Sequence, residues 1–95
     1  MFISISTYSI KPGKYDEMVE FAKSIVSEVS KIQGAKQMII VRTGEDSSCT
    51  IATYNSKEEA EAATPHIQQI FSRMGEFLSA PPERNLHEAV IYEQF

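Results

Sequence analysis

The sequence predicts an α+β domain of the ferredoxin-like type, in which a four-stranded antiparallel sheet carries two helices on one face. Hydrophobic residues recur with strand and helix periods in the order β-α-β-β-α-β over the 95 residues. Turn residues fall where the period changes, and no repeat, linker or low-complexity segment divides the chain, so residues 1–95 read as a single domain. Right-handed crossovers then place both helices on the same side of the sheet.

Each element has its own signal. Phe2 to Ile10 alternates and is rich in β-branched and aromatic residues, which predicts the first strand, and Lys11 to Gly13 makes the turn after it. From Lys14 to Ile32 the period changes: Met18, Ala22, Ile25, Val29 and Ile32 recur every three or four residues, the stripe of an amphipathic helix that Gly34 ends. Lys36 to Thr43 and Cys49 to Tyr54 read as the second and third strands around a hairpin-like turn from Gly44 to Ser48. Ser56 and Glu59 form a capping box, in which each side chain is expected to satisfy the other residue's free backbone N–H. The helix they open continues through Ala60, Ala63, Ile67, Ile70, Phe71, Met74 and Leu78. Ala80 to Asn85 breaks the pattern, and Leu86 to Phe95 is predicted as the fourth strand.

The strands are apolar on both faces. Phe2, Tyr8 and Ile10 share one face of the first strand and Ile3 and Ile5 the other. Met38 and Ile40 oppose Ile39 and Val41, and Ala52 and Tyr54 oppose Cys49 and Ile51. Two helices cover one face, so the other would leave a patch that monomers avoid. The expected cover is the same face of a second copy, a homodimer packed through the helix-free side of the sheet.

Composition excludes several classes. The net charge of −4 argues against nucleic acid, and the aromatic-rich strand motif of RNA-binding domains with this strand order is missing. No apolar run approaches the ~20 residues that span a bilayer, and the N-terminal stretch lacks the basic region and cleavage site of a secretory signal. One cysteine, Cys49, cannot pair internally, so the expectation is a cytoplasmic protein, with Cys49 a small buried hydrophobe and no nucleophile. His66 and His87 are too far apart in the sequence for a zinc-type ligand pattern, so no metal is expected.

Pro65 interrupts the second helix. A proline in a helix interior costs about 3 kcal/mol, but none of that at the first helical position. The sequence therefore predicts a short piece over Lys57–Ala63, a kink, and a second piece over Pro65–Leu78 with Thr64 as its N-cap. The kink would aim His66 at the space between helices and sheet.

Three short motifs, in this order and spacing, carry a family resemblance over nearly the whole chain: Lys11-Pro12-Gly13-Lys14 after the first strand, Tyr54-Asn55-Ser56 at the end of the third, and Thr64-Pro65-His66. The chain resembles the antibiotic biosynthesis monooxygenase domains of the dimeric α/β-barrel superfamily, with the third motif similar to the Thr-Pro-His of the quinol monooxygenase branch. The resemblance implies a side-by-side dimer whose sheets form a barrel. It also implies a ligand cleft between helices and sheet, and oxidation of a phenolic or quinol-type aromatic by O₂ with no cofactor, neither metal nor flavin. The chain departs from the pattern in places. Tyr54 stands where the third strand usually ends in Trp, and Glu61 where the quinol branch has a second His. Ser6, Glu61 and Phe71 stand where the haem-degrading branch has its functional Asn, Trp and His, which argues against haem degradation.

Cofactor-free oxidation needs a base, donors for an oxyanion and a dry cavity. His66 is the candidate base and Tyr54 the candidate oxyanion donor, with Ser6, Tyr8, Arg42 and Phe71 as candidate cleft residues. Each has a plainer alternative: a half-exposed histidine at a helix start, core tyrosines with hydroxyls at the rim, and a solvated edge arginine. The alternative function is a non-catalytic small-ligand-binding or accessory dimer of the same fold.

Overall fold

In the computed structural model, which describes Met1–Phe95, the elements are β1 (Phe2–Ser9), α1 (Tyr15–Ser24), α2 (Val26–Ser30), β2 (Ala35–Gly44), β3 (Ser47–Tyr54), α3 (Lys57–Ala62), α4 (Thr64–Arg73), a 3₁₀ turn (Gly75–Phe77) and β4 (Glu83–Glu88). The sheet order is β2-β3-β1-β4 with every neighbouring pair antiparallel. This is the predicted ferredoxin-like plan, with β3 inserted between the two strands that α1 and α2 connect. No helix is long and apolar enough to cross a membrane.

The period-2 pattern of β1 buries Ser4, Ser6, Tyr8 and Ile10 beneath the helices. They meet Met18, Ala22, Ile25 and Val29 of the first helical stripe and Ile70, Met74, Phe77 and Leu78 of the second. Each fully buried aliphatic side chain of this kind contributes about 1.5–3 kcal/mol. A smaller cluster of Ala52, Tyr54, Ala60 and Ala63 closes the other end, where alanines let α3 approach the sheet. Gly34, at φ +84, turns the chain out of α2, and a Cβ there would lie 2.5 Å from the Glu59 side chain, so only glycine fits.

Several boundaries differ from the sequence reading. The first helix is broken at Ile25, whose N–H donates to the Ala22 carbonyl three residues back, so α1 and α2 are separate segments sharing one buried stripe. At the capping box the Glu59 N–H donates to Ser56 Oγ as predicted, but Ser56 Oγ donates to the Glu59 carboxylate, in place of the expected Glu59–backbone bond. Leu78 leaves the helix and bridges to Ile10 in extended conformation. The fourth strand lies three residues before its predicted start and ends at Glu88. Its pairing with β1 runs from Thr7↔Glu83 to Phe2↔Glu88, and the Ala89 N–H still donates to the Met1 carbonyl. Val90 to Phe95 continues without regular structure, leaving Val90, Ile91, Tyr92 and Phe95 exposed.

The helix-free face is apolar at its centre. Ile39, Ile51 and Ile5 form one row across β2, β3 and β1, and Val41 and Cys49 lie beside it in the next row. Ile39 is 54% exposed and Val41 39%. Cys49 sits on this face beside Ile51, as the alternation predicts, but is partly exposed and not buried as expected, while Ser48 of the opposite parity is buried.

Candidate functional site

A cavity of about 40 Å³ lies between the sheet and the helices. β1 contributes Ser4, Ser6 and Tyr8 to it, and β3 contributes Thr50, Ala52 and Tyr54. The opposite wall is Ile25 and Val29 from the first helical arm and Ile67, Ile70, Phe71 and Met74 from α4. The helical wall is thus aliphatic and aromatic, and the sheet wall carries hydroxyls beside the aliphatic side chains of Met38, Ile40 and Ala52. The Tyr8 hydroxyl is 2.8 Å from Thr50 Oγ1, while the structure records no partner for the hydroxyls of Ser4 and Ser6. Burial pushes the Tyr8 phenol above its ordinary value, against the opposing hydrogen bonds to Thr50 and Ser48. Tyr8 is therefore neutral near pH 7, a donor and not a base.

At this volume the cavity has room for about three or four waters, since each needs roughly 10–15 Å³ on this measure, and not for an aromatic ring. Phe71 is the partition that limits it. Its other side borders an open groove of about 490 Å³ running along α4 past Gln68 and Gly75 to Ala80–Pro82. The Phe71 ring packs at a tilt on Tyr8, centroids 6.4 Å apart, and moving it would join groove to cavity.

The predicted site residues divide. Ser6, Tyr8, Tyr54 and Phe71 border the cavity; His66 and Arg42 do not. His66 Nε2 lies 2.6 Å from Glu28 Oε2 on the outside of the helical layer, where Arg73 also bonds the same carboxylate. His66 lies about 100° of helix rotation from Ile67, which together with Ile70 lines the cavity. Arg42 lies over the ring of Tyr15 at 3.9 Å and donates to the Gly44 and Glu45 carbonyls, at the rim beyond β2. That is the solvated-edge alternative. No group of three or more His, Cys, Asp or Glu side chains comes together as a metal site.

The kink has a different anatomy from the predicted one. Ala63, not Thr64, is the junction residue, with helical φ −72 and ψ −19, and Pro65 falls within the first turn of α4. Thr64 Oγ1 is no cap; it accepts from Arg84 Nη1 at 2.6 Å. Arg84 Nη2 donates to the Ala60 carbonyl at 3.2 Å and to the Tyr54 hydroxyl at 3.4 Å. Thr64 and Ala60, on either side of the junction at Ala63, thus meet one guanidinium from β4. Arg84 is the site residue that the sequence reading missed. Its signal is strand parity: Arg84 pairs with Ser6 and shares a face with Leu86, so it points under the helices.

The backbone has many relatives among solved structures. A protein of unknown function from Nitrosomonas europaea superposes with a TM-score of 0.84 at 14% identity, covering 98% of this chain and 92% of that one. A protein provisionally named antibiotic biosynthesis monooxygenase, from the same organism, gives 0.79 at 14% identity, covering 96% of this chain and 100% of that one. Another of that provisional name, from Caulobacter crescentus, gives 0.77 at 18% identity, covering 95% and 90%. The chain has the antibiotic biosynthesis monooxygenase fold. No family model and no curated protein matches the sequence. What the chain shares with these structures is the course of the backbone.

Proposed function

We propose that the chain is a cofactor-independent monooxygenase that oxidises a small phenolic or quinol-type aromatic with O₂ in the cavity between sheet and helices. The observation that carries this reading is the division of the cavity into an apolar wall and a wall of hydroxyl donors, with no competing charge on its lining. With Phe71 swung aside, such a site would hold an aromatic ring against one wall, receive its oxygen on the other, and keep water from the anion that reduces O₂. Tyr54, Ser4 and Ser6 are the proposed donors to that oxygen. Phe71 is the proposed door, and His66 has no part in the chemistry.

The same reading includes a homodimer. The row of Ile5, Ile51 and Ile39 supports it, and the exposed tail Val90–Phe95 adds apolar surface for a second copy to cover. The unpaired Cys49 supports a cytoplasmic site of action.

One observation favours a second reading, ligand binding without turnover: no imidazole or carboxylate borders the cavity to take the phenolic proton. Oxygen uptake separates the two. With chelator-treated, flavin-free protein and a hydroquinone, the monooxygenase reading expects uptake above the buffer rate. Tyr54→Phe should slow it by about 10²–10³-fold, the usual worth of one oxyanion donor. His66→Ala should leave it unchanged. If a panel of quinols and phenols binds, as followed by a thermal shift, but none raises uptake, the second reading holds.

A further inference from the structure

We infer that Arg84 is a positioning residue that tunes the Tyr54 hydroxyl as a donor to an ionised ligand oxygen, so that the cavity selects the phenolate over the phenol. The inference rests on the proposed aromatic-binding role of the cavity. It starts from an imbalance. Arg84 is only partly exposed and is set against three neutral acceptors, Thr64 Oγ1, the Ala60 carbonyl and the Tyr54 hydroxyl. No carboxylate lies within ion-pair distance of it, whereas Arg73 on the outside of the same layer holds Glu28. Its Nε is fully buried with no partner at all. A guanidinium stays charged at any pH the protein meets, and burying a cation without a counter-charge is costly. A partly exposed cation with only neutral acceptors around it favours a ligand that brings negative charge.

The route for that charge is Tyr54. Its side chain is 1% exposed and borders the cavity. Its hydroxyl oxygen accepts from Arg84, and the structure records no acceptor for the hydroxyl proton. A phenolic hydroxyl both donates and accepts, so with the accepting side turned to Arg84 the proton is free for a ligand. The cation behind it polarises the O–H bond and strengthens the hydrogen bond most when the ligand oxygen carries full charge. Ser6 is Arg84's direct neighbour across the β1–β4 pairing and faces the same way, with its hydroxyl also unpartnered. Tyr54 and Ser6 line the cavity and Arg84 lies behind them, so its charge reaches an otherwise uncharged cavity through the Tyr54 hydroxyl. The ligand class that fits is a small aromatic or enol whose hydroxyl ionises readily.

The test uses 4-nitrophenol, whose ionised form is coloured, titrated against pH in the presence of saturating protein. With the wild-type chain the ionisation midpoint of the bound probe should fall by about one unit below that of the free probe, the scale of one nearby opposite charge. Arg84→Gln should return the midpoint to the free value or above it, and Arg84→Lys should keep part of the shift. A purely structural Arg84 would weaken both probe forms alike and leave the midpoint where it is. Should Arg84→Gln fail to fold, Tyr54→Phe reads the same quantity with the packing of the ring retained, and its midpoint should also rise. Equal midpoints in wild type, Arg84→Gln and Tyr54→Phe would overturn the role of Arg84 while leaving the cavity as a binding site. Absence of any probe binding to the wild-type chain would overturn both.

Discussion

The Glu28 carboxylate joins the two helical arms over the cavity: His66 Nε2 meets one of its oxygens at 2.6 Å, and Arg73 donates to both at 2.7 and 2.8 Å. Glu28 belongs to α2 and the other two to α4, so three side chains distant in sequence fasten the roof from the outside. Arg73 also lies 5.9 Å from the centre of the Phe21 ring. The histidine that the sequence offered as a base serves here as one strut of this clasp.

The clasp has a pH signature. The Arg73 bonds first, and the His66 bond second, hold the Glu28 carboxyl below its ordinary value of 4.5. A carboxyl lowered by folding stabilises the protein above its unfolded value, and that stabilisation is lost as pH falls through the folded value. Wild type should therefore resist urea better than Glu28→Gln at pH 7, with the two midpoints converging on acidification from 4.5 downward. Identical midpoints at pH 7 would show that solvent screening cancels the clasp.

Thr64 should behave as an acceptor for Arg84 and not as a helix cap. Thr64→Val should cost about 1–3 kcal/mol, the range for a lost hydrogen bond to a charged group, and Thr64→Ser should stay close to wild type in urea unfolding. Pro65→Ala should change stability by less than about 1 kcal/mol, since proline is at home in the first turn. A large loss for Pro65→Ala would mean that the kink angle itself holds the Arg84 contacts.

The door can be removed. Phe71→Ala should join the cavity to the groove and lower stability by about 3 kcal/mol or somewhat less, since the ring is only partly buried. A small aromatic such as phenol should then raise the melting temperature of the variant more than that of wild type. An equal shift in both would place ligand entry elsewhere.

The proposed dimer turns on the middle of the bare face. Ile51 lies on β3 between Ile39 and Ile5, so Ile51→Lys puts a charge where the two sheets would meet. Wild type should sediment as a dimer at micromolar concentration and the variant as a monomer with native circular dichroism. A monomeric wild type would remove the sheet-to-sheet pairing from the proposal.

The sequence by itself determined the strand order, the placement of both helices on one side and the two-faced apolar strands. Those follow from local periodicity and from turn and cap residues such as Gly34 and Ser56, which act over a few positions of chain. It also determined which strand residues share a face, Tyr8 with Ile10 and Ala52 with Tyr54, whereas the docking of the helices decided which face is covered. Only the tertiary structure decided what His66, Thr64 and Arg84 do. His66 and Ile67 are adjacent in sequence and differ by 100° of helix rotation, so whether one or the other turns inward depends on how α4 docks. Glu28 reaches His66 across 38 residues and Arg84 reaches Thr64 across 20, separations over which no pattern in the sequence pairs side chains. The extent of β4 was likewise a tertiary matter. Leu86 to Phe95 carries strand-like residues, but a strand needs a partner, and the register with β1 covers only Glu83 to Glu88.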